Sequence, residues 1–566
     1  MPKEGIYAMS NVFFDGKNTI PDDRPQIFVD QAGYLPGSRK TAVLTFPSDM
    51  FSIVDENGEK HFEGAVSHYG MDACSGDDVY TADFSAFNRS GSYRIKAGGM
   101  TSALFRIGKG VYNKLFRDTT KAFYYLRCGC ALDEKYAGEY AHEACHTSEA
   151  TIFGTEEKLD VSGGWHDAGD YGRYVTAGAC ACAQLLYAYK LFPKAFDELD
   201  LNIPESGSGI PDILSEIKYE LEWLLKMQRA DGSVYHKATT MRHAPFIMPE
   251  DDKEPLYVFP VSSMATADVC AVCALAAGIY RPFDKAFSDR LAKAAKLSYK
   301  WLEENPDFLG FWNPRGCDTG LYAETNDVDN RYWAAAEMFT LTGDKRYSAD
   351  FVKMYNEGFE RDDYVRVALG YSVIGGLGSL AYILCEREGR ENSIASALKE
   401  QFSNEAYWLR DKSKNSGYGA SMEDWDYYWG SNMVLMQHAM KFILAAMFTG
   451  NNEFYGYIEE QLHVLLGRNP LGISYVTGTG EYRCRSPHYR PSEADGIEES
   501  IPGLVIGGPN RNLDDPYAAS LIPRNTPPMK CFVDHKDCYS LNEVTIYWNS
   551  PTVFVLAFLS GYGSNE

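Results

Sequence analysis

Two carboxylates three residues apart, Asp167 and Asp170, lie in Gly163-Gly164-Trp165-His166-Asp167-Ala168-Gly169-Asp170-Tyr171-Gly172, and a third, Glu543, lies in Leu541-Asn542-Glu543-Val544-Thr545-Ile546. Carboxyl groups in unlike surroundings can serve as general acid and general base. Glycines admit backbone angles closed to other residues, so the first stretch reads as a tight loop whose acids project into a cavity. Glu543 borders a largely apolar run, where partial burial raises a carboxyl pKa and keeps the proton available. The structural alternative makes Asp170 the cap of a helix beginning near Tyr171 and Glu543 an acid in a first helical turn, both favoured by the helix dipole. A second constellation is Cys128, Cys145, His146 and His166, spaced Cys-x16-Cys-His-x19-His. Two thiolates and two imidazoles satisfy a closed tetrahedral zinc site of structural type. Cys130 rivals Cys128 as a ligand, and the alternative use of the set is as free buried thiols beside unrelated histidines.

Periodicity indicates what must hold these residues. Beyond residue 110, apolar positions recur with helical period over about 110–129, 172–191, 211–229, 262–280, 284–304, 328–342, 345–361, 367–387, 391–409, 430–449, 452–467 and 543–562. Twelve helices suit six helical hairpins closed into a ring, an (α/α)6 barrel, over 109–566. The acids fall in or beside the long loops 130–171 and 468–542, and loops of more than about 15 residues are uncommon in compact domains unless functional. From 25 to 108, short β-rich runs are bounded by turn residues such as Pro36-Gly37 and Asn57-Gly58. These are Ile27-Phe28-Val29, Thr41–Leu44, Phe51–Val54, Val79–Ala82 and Ser92–Ile95, and they predict a small β-sandwich. Residues 1–24 carry no sustained period and read as a tail.

A chain of 566 residues is too long for one ordinary domain. Its 54 basic against 78 acidic residues, a formal charge of −24, argue against a nucleic-acid or anionic-membrane surface and leave a neutral polymer compatible. With 39 Tyr and 9 Trp it is rich in rings that carry a polar edge and suit sugar faces. Met1-Pro2-Lys3-Glu4-Gly5 lacks an apolar core, and no run approaches the roughly 18 apolar residues of a membrane span. The chain reads as soluble, either cytoplasmic or secreted with a leader removed. Its 13 cysteines, scattered through helix-like stretches, read mostly as reduced core thiols.

Four blocks occur in order: the Gly163–Gly172 stretch, Ser474-Tyr475-Val476-Thr477-Gly478, Pro487-His488-Tyr489-Arg490, and Asn542-Glu543-Val544 followed by Trp548-Asn549. Together they resemble the signatures of glycoside hydrolase family 9 (cellulase family E), and Asp30-Gln31-Ala32-Gly33-Tyr34-Leu35-Pro36 resembles the immunoglobulin-like module of one branch of it. The resemblance implies inverting hydrolysis of β-1,4 bonds in cellulose-like or mixed-linkage β-glucans, as an endoglucanase. An exo-acting member working on soluble oligosaccharides is the alternative, and a silent sugar-binding protein is the rival from another class, opposed by the intact acids. It makes Asp170 the base, Asp167 the holder of the attacking water and Glu543 the acid, with base and acid roughly 6.5–9.5 Å apart as inversion requires. It assigns His488 and Arg490 to the sugar at the cleavage point, with Tyr489 where many relatives carry a second His. Trp312, Trp425, Tyr428 and Trp429 become candidate stacking platforms, the last two within the family's Tyr-Trp-Gly-Ser-Asn block. The resemblance supports zinc on the Cys/His set and adds calcium, for which Glu324, Asp327 and Asp329 offer hard oxygens. Asp212 and Glu216 form a second calcium candidate. The protein is expected to be a monomer with a β-glucan polysaccharide or oligosaccharide as its partner.

Overall fold

The computed structural model describes residues 26–358 and 365–562. The expected tail 1–24 and the end of the helix expected to reach 361 lie outside them. Twelve helices of ten residues or more are present among the described residues: α1 Asn113–Tyr125, α2 Val175–Leu191, α3 Asp212–Lys226, α4 Ser263–Tyr280, α5 Lys285–Glu304, α6 Val328–Thr342, α7 Lys345–Gly358, α8 Gly375–Leu384, α9 Asn392–Lys414, α10 Ser431–Thr449, α11 Glu453–Leu465 and α12 Ile546–Tyr562. Even-numbered helices form the inner ring: α2 packs on α4, α4 on α6, α6 on α8, α10 on α12 and α12 on α2, while outer helix α9 bridges α8 and α10. The result is an (α/α)6 barrel.

Composition separates the two rings. Inner helices are buried on nearly every side, as in α2, where every residue from Val175 to Ala188 is buried. A helix with no polar face has to lie inside. Outer helices carry one apolar stripe; α5 buries Phe287, Leu291, Ala294, Ser298 and Leu302. The 18-residue α4 is long and apolar enough to match a membrane span, contrary to the sequence expectation, and its burial in the inner ring is the physical reason. All thirteen cysteines are free thiols and ten of them are buried, as expected of core thiols.

The amino-terminal module is an eight-stranded β unit: β1 Ile27–Phe28, β2 Thr41–Leu44, β3 Met50–Asp55, β4 Lys60–Met71, β5 Asp78–Asp83, β6 Gly91–Ala97, β7 Met100–Thr101 and β8 Phe105–Ile107, in the order β1-β2-β5-β4-β3-β6-β7 with β8 on β6. The long β4 pairs with β3 through its first half and with β5 through its second, so it turns the corner between the two layers. Ile27, Val29, Ile53, Phe84, Tyr93 and Phe105 fill the space between them. Short strands in the barrel's loops, β9 Ala150–Ile152, β10 Lys158–Leu159, β11 Arg173–Tyr174, β12 Lys237–Thr239 and β13 Tyr257–Val258, form a second sheet in the order β10-β9-β13-β12-β11.

Helix boundaries differ from expectation where the site lies. α2 begins at Val175, since Arg173 and Tyr174 pair antiparallel with Ala238 and Lys237. α8 begins at Gly375, and residues 368–373 ahead of it line a cavity.

Candidate active site

The loop Gly163–Gly172 is held from behind by α3. Glu220 accepts the backbone N–H of Trp165 at 2.6 Å, and Glu216 accepts the Trp165 indole at 2.8 Å. Gly164 has φ +76°, and a Cβ there would lie 2.7 Å from the Trp223 ring. On the other side, a Cβ on Gly169 would stand 2.0 Å from the carbonyl oxygen of His488. Glycine is therefore what lets the loop lie between α3 and the segment around His488.

Asp170 is no helix cap, being five residues ahead of α2. Its Oδ2 accepts from Tyr174 Oη at 2.9 Å and from Gly172 N at 3.1 Å, and His243 Nδ1 stands 3.3 Å away. Burial pushes its carboxyl up, but His243, Arg490 and Tyr174 outweigh burial and hold it well below the usual carboxylate range. Asp167 is fully buried. The Tyr322 hydroxyl donates to its Oδ2, while its Oδ1 has no donor among the described residues. Burial, with Asp170 and Glu543 nearby, raises Asp167 well above the ordinary value despite that bond.

Glu543 does not lie in the first turn of α12 either. It is extended (φ −62°, ψ 156°) after the short helix Tyr539–Asn542, three residues before α12 begins. A bridge to His488 pins it: His488 N donates to Asn542 O at 2.8 Å and Gly507 N to Glu543 O at 2.9 Å. Burial first, and then the Asp170 charge, push its carboxyl up to about 8, against smaller opposing effects of His243, Arg490 and a Trp429 hydrogen bond. Asp170 and Glu543 line one cavity of about 500 Å³, with Tyr174, His243, Tyr322, Tyr428, Trp429, Tyr547 and Trp548, and with residues 368–373 and α10 as its far wall. One carboxyl is held ionised and the other protonated across the same space, the division an acid–base pair needs.

The other expected site residues divide. Tyr428 and Trp429 line this cavity, whereas Trp312 (77% exposed) and Trp425 (61%) stand outside its lining. His488 lies behind the Asp170 loop, its Nδ1 donating to Lys536 O at 2.5 Å and its ring edge against Phe246. Arg490 donates through Nε to Ala244 O at 2.6 Å and through Nη1 to Gly169 O, so these donors brace two loops. Tyr489 is buried, with its hydroxyl on Tyr125 O. His243, Tyr174 and Tyr322 were not singled out from sequence. His243 lies in the long 227–262 loop, whose length was the available signal; neither tyrosine carried one.

Cys128, Cys145, His146 and His166 are all buried, and their ligand atoms lie within 4.8 Å of one another. Cys130 is outside the group. His146 presents Nδ1, which has no hydrogen-bond partner among the described residues, while its Nε2 lies 3.3 Å from Asp252 Oδ2. A carboxylate on the far nitrogen orients a metal-ligating imidazole. Burial opposes ionisation of Cys128, but Cys145, Arg173 and the imidazoles hold its thiol well below the ordinary value. The donors fit a tetrahedral soft-ligand site.

The three candidate calcium ligands face different partners. Asp327 pairs with Arg331 at 2.9 Å and Asp329 accepts Ile374 N at 2.8 Å. Glu324 instead faces Asn330, which bonds Asp268, and the buried Asp268 Oδ2 and Asn330 Oδ1 have no donors among the described residues. Burial, then Asp268, push Glu324 up to about 10. In the second calcium candidate, Asp212 accepts Leu201 N and Ser206 Oγ, and Glu216 is paired with Arg127 at 2.9 Å.

A family model described as glycosyl hydrolase family 9 matches residues 112–556, and one described as the cellulase N-terminal ig-like domain matches residues 22–102. The cellodextrinase of Butyrivibrio fibrisolvens is 48% identical over 545 residues, covering 94% of this chain and 99% of the relative. Endoglucanase D of Acetivibrio thermocellus is 34% identical, covering 96% and 84%. The crystal structure of a single mutant of the thermostable endoglucanase from Alicyclobacillus acidocaldarius superposes with TM-score 0.88 at 36% identity, covering 95% of this chain and 99% of that one.

Proposed function

The chain belongs to glycosyl hydrolase family 9 and hydrolyses glycosidic bonds of β-glucans; from that premise we propose that it cleaves β-1,4 bonds with inversion, Asp170 acting as base and Glu543 as acid. The opposite proton affinities of these two carboxyls across one cavity carry the reading. Glu543 gives its proton to the glycosidic oxygen as the bond from that oxygen to C1 breaks. Asp170 takes a proton from a water whose oxygen bonds to C1 on the opposite face, and the sugar leaves with inverted configuration. Asp167 holds that water through its free Oδ1 while Tyr322 fixes Oδ2. Trp429 and Tyr428 form the sugar-stacking wall, and Arg490 keeps the loops of Asp170 and His243 together.

Short soluble β-1,4-glucans are the proposed substrate class, supported by the 48% identical cellodextrinase. Internal cleavage of polymeric glucan is the second reading, favoured by the endoglucanases among the relatives and solved structures. Cys128, Cys145, His146 and His166 would hold zinc, which supplies a cross-link within the 128–166 segment and no chemistry at the sugar. Glu324, with the unpartnered oxygens of Asp268 and Asn330, is the proposed corner for calcium.

A proton NMR time course on cello-oligosaccharides and a mixed-linkage glucan tests the reading. Initial release of the α-anomer is expected, with oligosaccharides turned over faster than polymer; an initial β-anomer overturns the base assignment, and internal polymer cuts at comparable rate select the second reading. Glu543→Gln should lower kcat about 10²- to 10⁴-fold on these substrates. On a β-cellobiosyl fluoride, whose leaving group needs no proton, the loss should largely disappear.

A further inference from the structure

Lys237 is wholly buried, yet it faces no carboxylate at salt-bridge distance among the described residues. It lies on β12, with its backbone opposite Tyr174 of β11. Its ammonium donates to Asn313 Oδ1 at 2.7 Å, Gly320 O at 2.8 Å and Thr319 Oγ1 at 2.9 Å, with Thr319 O at 3.3 Å and Cys317 Sγ at 3.7 Å completing the shell. An ammonium has three donors, and the three short bonds use them all. Every acceptor belongs to one loop, 313–320, so a single cation organises the loop much as a bound metal ion would.

That loop in turn reaches two of the supports of Asp170, Tyr174 and the His243 segment, and runs on to Tyr322, the donor to Asp167. Gly320 N donates to Tyr174 Oη at 2.9 Å, and that hydroxyl donates to Asp170. Asp318 accepts His243 N at 3.3 Å and donates its own N–H to Met241 O at 3.0 Å, which fixes the segment bearing His243. Two residues further on, Tyr322 donates to Asp167. We propose that Lys237 is a positioning residue for the hydrolytic step: its ammonium locks loop 313–320 and thereby aligns Tyr174, His243 and Tyr322 on Asp170 and Asp167. The proposal rests on Asp170 being the base. The cation acts through neutral acceptors, so it fixes geometry without supplying a counter-charge within bonding distance of either aspartate.

Small displacements of a reacting group cost up to about 10²-fold in rate. Lys237→Met keeps an unbranched side chain one heavy atom shorter and removes all three donors. It is expected to lower kcat on cellotetraose by about 10- to 100-fold, with KM within about threefold of the parent because the aromatic wall is untouched. The deficit should persist on β-cellobiosyl fluoride, where Glu543→Gln recovers. Thr319→Val, which removes one acceptor and keeps the ammonium, should give a smaller kcat loss in the same direction and serves if Lys237→Met does not fold. Unchanged kcat in a folded Lys237→Met, or in Thr319→Val where only that variant folds, overturns the proposal, as does a loss carried wholly by KM. Asp170→Asn separates the two ideas: full turnover there defeats the base assignment, whereas a dead Asp170→Asn beside a fully active Lys237→Met defeats the role of Lys237 alone.

Discussion

Asp170 and Glu543 differ in proton affinity because their neighbours differ, although both are carboxyls withdrawn from water. His243, Arg490 and Tyr174 outweigh burial at Asp170, whereas at Glu543 burial and the charge of Asp170 outweigh His243, Arg490 and the Trp429 hydrogen bond. The pH dependence of kcat/KM follows. Activity needs Glu543 protonated, so it is lost as pH rises through about 8, and it needs Asp170 ionised, so it persists downward until pH falls below the usual carboxylate range. The hydrogen bond from Trp429 favours the ionised form of Glu543. Removing it in Trp429→Phe should move the upper limb to higher pH, which a pH–rate series on a small aryl cellobioside reads directly; a limb that stays or moves down contradicts the assignment of that limb to Glu543. The three acids could be read from sequence because each stands in a dense local motif. His243 and Tyr322 could not, since each reaches its aspartate across more than seventy residues of chain through backbone geometry that no spacing encodes.

At the scale of elements, the twelve helices were legible because burial forces their composition. What the period could not show was where a helix yields to a competing partner. Arg173 and Tyr174 fall within the span expected of α2 but pair with β12, which frees Asp170 from the helix start. Residues 368–373 continue the pattern of α8 and instead wall the cavity. The segment 128–166 is organised differently, by the convergence of two thiols and two imidazoles, and its outer support is Asp252. Loss of a carboxylate behind a ligating histidine typically costs about 10- to 100-fold in metal affinity. Asp252→Asn should therefore give up zinc to a competing chelator by about that factor, with kcat of the zinc-loaded protein little changed since Asp252 touches neither acid. A zinc affinity equal to the parent's would place His146 outside the ligand set.

Across the whole molecule, the β module is joined to the barrel through buried polar groups as well as surface charge. Asp30 Oδ2 lies 2.8 Å from His463 Nδ1 on α11, with both side chains fully buried, and Tyr112 and the N–H groups of Ala32 and Gly33 also donate to Asp30. Gln31 clasps the chain after α11, donating to Gly472 O at 3.0 Å and Tyr482 O at 2.9 Å and accepting Tyr482 N at 2.8 Å. Tyr418 and Gly417, after α9, donate to Asp77 and Asp72 of the module. The clasped stretch runs on to Cys484 and then to His488, whose bridge pins Glu543, so the module supports the acid at a distance. Buried groups left without partners cost about 1–3 kcal/mol each. Asp30→Ala orphans His463 Nδ1 and the N–H groups of Ala32 and Gly33 together, while Tyr112 keeps its bond to Gly33 O, which amounts to several kcal/mol lost at the joint alone. The parent should unfold in one calorimetric transition, module and barrel together, and Asp30→Ala should lower the transition by several degrees or split it, with the first event abolishing turnover. If module and barrel already melt independently in the parent, or if turnover survives the first event, the module is a passenger and Glu543 is held by the barrel alone.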